Sequence, residues 1–164
     1  MDRDGPYAVG TAAGQGHKLT MLLLLEHRTN VNVKDDSGQT SLHYALTSTG
    51  FSEALAILLI EKGASVHERG HREESVLTLA ASRGSPAFLR KLIDLGARVN
   101  EADIDGNTPL HKAAEYGNRE AVILLLEEGA RIHAMNDNGA KPVDQAQRWT
   151  SNDATRNLLK SRMS

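Results

Sequence analysis

The chain has 164 residues, a formal net charge of -2, and no cysteine, which excludes disulfides, zinc–thiolate sites and thiol nucleophiles and predicts a reducing compartment, cytoplasm or nucleus. At this length one domain buries roughly two thirds of the surface its unfolded chain exposes, so residues 1–164 are expected to form a single domain that folds without a staple. Charges of both signs are mixed as on a solvated surface rather than massed as a nucleic-acid binder requires, and the apolar run ending at Leu22–Leu25 is far shorter than the ~20 residues of a membrane span.

From the N-terminus, Met1-Asp2-Arg3-Asp4 lacks the basic start and apolar stretch of a secretory signal. Residues 1–34 then show Tyr7-Ala8-Val9-Gly10, Ala12-Ala13, Gly16 and a leucine run. Residues 35–69 carry Thr40-Ser41-Leu42-His43 and end in Gly63-Ala64 with Val66-His67; two extra residues lie between Ala45 and Leu55, so the first helix or its following loop must bulge. In residues 70–102, Ser75-Val76-Leu77-Thr78 precedes Ala80-Ala81, the stripe Leu89, Leu92 and Ile93, and Gly96-Ala97 with Val99-Asn100. Glu73 stands where Gly38, Gly106 and Gly139 stand elsewhere, which predicts a differently bent turn.

Residues 103–135 bear the fullest version: Thr108-Pro109-Leu110-His111, Ala113-Ala114, the stripe Val122, Leu125 and Leu126, then Gly129-Ala130 and Ile132-His133. Residues 136–164 keep Lys141-Pro142-Val143-Asp144 and finish at Leu158-Leu159-Lys160 among polar residues. The anchoring positions Val9, Leu42, Leu77, Leu110 and Val143, and the independent Gly-Ala landmarks at Gly63, Gly96 and Gly129, share one period.

Each piece has a physical reason. Thr40, Ser75 and Thr108 can cap a helix by accepting a hydrogen bond from an orphan amide, and Pro109 at the first helical position gives up an N–H that had no partner. The alanine pairs keep the first helix slim enough for neighbours to approach. An i, i+3, i+4 stripe faces the second helix inward, and Gly96 and Gly129 supply the positive φ that ends it.

In order and content this pattern resembles the ankyrin repeat, over nearly the whole chain. The resemblance implies an all-α, slightly curved solenoid of stacked helix-turn-helix units joined by β-turn or hairpin loops, with residues 1–34 and 136–164 as atypical caps having one face toward water. It also implies that His43 and His111, at the motif position, hydrogen-bond backbone in the turn region.

No chemistry-bearing constellation stands out. Of the seven histidines, only His67 and His71 approach ligand spacing, across a turn with no cysteine near, so no metal site is expected. Gly10, Gly14, Gly16, Lys18 and Thr20 have the wrong spacing for a phosphate loop and no strand before them. Without a nucleophile elbow, kinase signature or paired carboxylates in an apolar setting, no catalytic residue, cofactor or small-molecule ligand is expected.

The resemblance places partners on the hairpin tips and the exposed side of the first helices, the concave side of the stack. The predicted partner-binding residues are Asp36, Tyr44, His71, Arg72, Leu79, Arg83, Ile104, Asp105, Lys112, Tyr116 and Trp149. Tyr, Trp and Arg are the side chains interface hot spots favour, and Arg69, His71, Arg72 and Arg83 form a basic centre between acidic flanks. The expected function is a non-enzymatic, monomeric adaptor or regulator that binds another protein or peptide, with no nucleic acid and no membrane. Two alternatives are a small stand-alone enzyme inhibitor of the ankyrin type, which the lengthened second repeat counts against, and a substrate of asparaginyl hydroxylase, since Asn32 with Leu24 and Asn100 with Leu92 meet its spacing.

Overall fold

A computed structural model of the chain describes residues 30–47, 51–146 and 153–163. Its contacts divide the chain into two compact units, Met1–His71 and Arg72–Ser164. The first unit contains α1 (Ser41–Leu46) and α2 (Glu53–Glu61); the second contains α3 (Val76–Ala81), α4 (Pro86–Asp94), α5 (Pro109–Glu115), α6 (Arg119–Glu127), α7 (Pro142–Gln145) and α8 (Asp153–Met163). A 3-10 turn spans His71–Glu73, and no extended strand occurs among the described residues.

Short first helices alternate with longer second helices, as the repeat requires. In the first unit α1 packs on α2; in the second, α5 touches α3, α6 and α7, α4 lies along α6, and α8 closes on α6 and α7. Leu42, Leu77 and Leu110 are fully buried, and Val143 nearly so. Burying one such side chain contributes about 1.5–3 kcal/mol. The alanine pairs of α3 and α5 have no exposed surface, so the close approach of these helices depends on side chains that end at Cβ.

The buried stripe of the second helices differs from the expected one. Ile93 and Leu126 are only half-buried, while Phe88 and Leu124 are buried beside Leu89, Leu92, Val122 and Leu125. A second helix has neighbours on two sides, its own first helix and the second helix of the adjoining repeat, so its apolar face is wider and rotated from a single i, i+3, i+4 row.

Helix starts follow the cap chemistry. Ser75, Ser85 and Asn118 accept from the amides of Thr78, Phe88 and Ala121 at 3.1, 3.2 and 3.2 Å. At Thr40 and Thr108 the imidazole three residues on takes part: the threonine N–H donates to Nδ1 of His43 at 3.2 Å and of His111 at 3.1 Å. In the last repeat the Asp144 carboxylate does the same for the Lys141 amide at 2.8 Å. Second helices end in Schellman caps: Ala64, Ala97 and Ala130 donate to the carbonyls of Leu59, Leu92 and Leu125, with Gly63, Gly96 and Gly129 at φ 91°, 92° and 84°.

The two extra residues of the second repeat fall after α1. The Ser52 amide bonds the Ala45 carbonyl at 2.9 Å, closing a seven-residue step where Asn118 to Ala113 closes five with the same bond length. Residues 48–50 of that loop, the landmarks of residues 1–29, and Arg148 and Trp149 lie outside the described residues.

Turn tips are the other constant feature. Asp35, Asp103 and Asn136 each bond backbone to backbone with the residue four positions on, and each side chain accepts two amides of its own turn: Ser37 and Gln39, Asp105 and Asn107, Asn138 and Ala140, at 2.8–3.1 Å. The third tip departs from this, and its neighbour explains why. Gly70 occupies the Asp/Asn position, and a Cβ there would stand 2.5 Å from the His43 ring and 2.7 Å from the Gln39 amide oxygen. Without a side-chain acceptor, the turn is made by Arg72 and Glu73 in left-handed conformation, φ 56° and 59°, so Glu73 adopts the region that glycine holds in the other tips.

Gly106 and Gly129 both have positive φ, but a Cβ at Gly106 would meet Asp137 and Asn136 at 2.8–3.0 Å, whereas none of the described atoms lies within 4 Å of one at Gly129. Gly129→Ala is expected to cost about 1 kcal/mol of backbone strain, and Gly106→Ala about 1–3 kcal/mol more from overpacking. Urea denaturation of the two variants measures the difference; equal losses would contradict the close approach of adjacent tips.

Candidate protein-binding surface

Within the second unit consecutive tips are tied into a ladder. The Ile104 N–H donates to the Arg72 carbonyl at 2.9 Å and the Asp137 N–H to the Asp105 carbonyl at 3.0 Å. The Asn136 side-chain Nδ2 donates to the Asn107 side-chain oxygen at 2.8 Å. The two backbone bonds satisfy groups that a surface turn would otherwise leave to water, and with the side-chain bond they hold the apex side chains on a stiff base.

The ladder brings three of the predicted residues together. Ile104 rests on the Arg72 backbone, and the Arg72 guanidinium is hydrogen-bonded to the Asp105 carboxylate, which holds the guanidinium's pKa above its ordinary value. The expected basic centre is therefore compensated at Arg72: the acidic flank belongs to the neighbouring tip and faces it directly. Ile104 is 58% exposed, at the apex position occupied by Asp36, His71 and Asp137 in the other tips.

Among first-helix positions, Tyr116 caps the end of α5 and is 54% exposed. Leu79 is half-buried and Arg83 exposed. Lys112 pairs with Glu115 one turn on at 3.4 Å. Asp36, Tyr44 and His71 belong to the first unit, where Asp36 and His71 are exposed and Tyr44 is half-buried. The Tyr44 hydroxyl donates to Asp35 Oδ2. Burial pushes the Asp35 carboxyl up, but the Tyr44 hydroxyl, the Gln39 and Ser37 amides and the nearby His43 outweigh it and hold the group below its ordinary 3.8. This hydroxyl has a structural task.

Sequence reasoning missed Met135, which is 62% exposed just before the Asn136 tip of the fifth repeat. Register alignment carried the signal, because the equivalent positions in other repeats are Lys34, Arg69 and Ala102.

Asn32 and Asn100 are clamps between successive repeats. Each side-chain amide donates to the carbonyl of the helix-ending glycine, Gly63 at 2.9 Å and Gly129 at 3.0 Å. Each side-chain oxygen accepts from the amide two residues further on, Ser65 and Arg131, both at 2.8 Å. Both asparagines thereby have a structural role that explains their spacing. Asn100→Ala leaves the Gly129 carbonyl and the Arg131 amide without this partner and is expected to cost about 1–2 kcal/mol, measured as a lower urea midpoint; an unchanged midpoint would mean water replaces the clamp without loss.

His111 is neutral by construction. Its Nδ1 accepts the Thr108 N–H, so the proton resides on Nε2, which donates to the Ala140 carbonyl of the next tip at 3.1 Å. Burial pushes its pKa below the ordinary 6.5; the Ala140 carbonyl and Asp103 pull it up without reversing the shift, and Lys112 adds to the fall. As pH drops below 6.5 the unfolded imidazole binds its proton first, so this group's stability contribution, whole above 6.5, is lost as pH falls toward the folded pKa. His111→Gln is expected to be less stable at pH 8 and to lose less between pH 7 and 5 than the parent, read from denaturation midpoints; parallel pH profiles would overturn the assignment.

No helix among the described residues is long and apolar enough to cross a membrane. No curated protein matches the chain. A family model described as ankyrin repeats (3 copies) matches residues 1–70 and 67–136. Ankyrin repeats as a class mediate protein–protein interaction. With the match covering most of its length, and with the helix pairs, glycine caps and turn tips described above, the chain belongs to the ankyrin-repeat family.

Proposed function

We propose that this chain is a non-enzymatic adaptor or regulator that holds a protein partner on the turn tips and first helices of residues 72–164, with Ile104 and Tyr116 as anchors. The observation that carries the reading is Ile104, a branched apolar side chain 58% exposed at a turn apex, where polar residues are the rule. Its backbone is fastened to Arg72, so binding would order little that is not already ordered, which lowers the entropic cost of association. Tyr116, exposed and with only two side-chain torsions, is a second side chain of the kind that dominates interface energetics. The compensated Arg72–Asp105 pair beside Ile104 favours a partner with an apolar hollow over a strongly acidic segment.

Affinity purification from the native source with parent chain, Ile104→Asp and Tyr116→Ala tests this. Partners specific to the parent should be lost or depleted on both variants, in keeping with about 2 kcal/mol or more for a central anchor, while thermal midpoints stay unchanged. Full retention of every partner by both variants would remove the tip surface as the binding site.

A further inference from the structure

Helices α4 and α6 leave a groove between them of about 320 Å³, with Pro86, Ala87, Ile123 and Leu124 forming an apolar floor and Arg90, Glu120 and Glu127 its rim. None of these residues belongs to the tip surface. Charge on the rim is unbalanced. Arg90 is drawn to Glu128 at 2.6 Å, with Glu127 further off at 3.9 Å. Glu127 ends α6 and Glu128 is its C-cap, a place where the helix dipole already presents negative charge and no basic residue sits in the last turn. One guanidinium thus faces two carboxylates and the negative end of a helix, and Glu120 adds a third carboxylate at the other end of the groove.

We infer that this groove receives a partner's basic amphipathic helix. The spacing of the rim states its pattern: Glu120 and Glu127 are two turns apart on α6, about 10 Å. A helix laid along the groove would meet them with Lys or Arg at positions i and i+7, and would set Leu-sized side chains from i+3 and i+4 on Ala87, Ile123 and Leu124, the helix-in-groove mode of recognition. The cation at the Glu127 end would complete the compensation that Arg90 begins.

The test uses the full chain, ¹⁵N-labelled, titrated with a synthetic fifteen-residue helical peptide bearing Lys at i and i+7 and Leu at i+3 and i+4, and with a scrambled peptide of the same composition. Amide shifts concentrated at Ala87, Arg90, Ile123 and Glu127, produced by the patterned peptide and not the scrambled one, are expected. The double variant Glu120→Gln/Glu127→Gln, which leaves the apolar floor intact, should weaken binding roughly five- to tenfold, the loss of two partly exposed ion pairs. Ile104→Asp should leave it unchanged, so this result is independent of the tip surface. Equal binding of both peptides, shifts confined to the tips, or an unaltered affinity in the double variant would each overturn the assignment.

Discussion

A pair of short helices cannot bury its apolar surface alone, and this constraint organises the molecule. In residues 72–164, α5 is covered only because α3 and α7 lie on either side of it and α6 behind. The alanine pairs make that approach possible, and the apolar interior runs from one repeat into the next. Polar features repeat at the same interval because they join neighbours: Asn100 to Gly129 and Arg131, Asn118 to Ala81 and Gly84, His111 to Ala140.

Stacking also decides which side chains are free for recognition. At each regular tip an Asp or Asn collects two amides of its own turn, and in the second unit the backbone of one tip bonds that of the next. The Ile104 side chain, 58% exposed at its apex, therefore has little packing duty to explain it. The third tip follows a different route because the His43 ring occupies the space a Cβ at Gly70 would need, and two left-handed residues replace the missing acceptor.

Acidic residues at the end of α6 have a similar logic. Glu127 and Glu128 oppose the helix dipole, a local disadvantage that Arg90, one repeat earlier, only partly relieves. The tip surface and the α4–α6 groove share no residue, so occupation of one leaves the side chains of the other available.

The amino-acid sequence by itself determined the repeat unit, its period and its landmarks. Thr-Pro-Leu-His, the alanine pairs and the glycine caps act through local backbone chemistry, which repeats visibly and can be aligned. It also marked Ile104, Arg72, Asp105 and Tyr116 by register. Only the tertiary structure decided that Arg72 faces Asp105, that the Tyr44 hydroxyl is held by Asp35, that Leu124 is buried where Leu126 is not, and why Gly70 replaces an Asp or Asn. Those outcomes depend on contacts between residues about one repeat apart, on a side chain of a first helix reaching back to its own turn tip, or on the rotation of a helix between two neighbours. Neither leaves a periodic trace in the sequence, because each is set by side-chain geometry that exists only once the repeats are stacked.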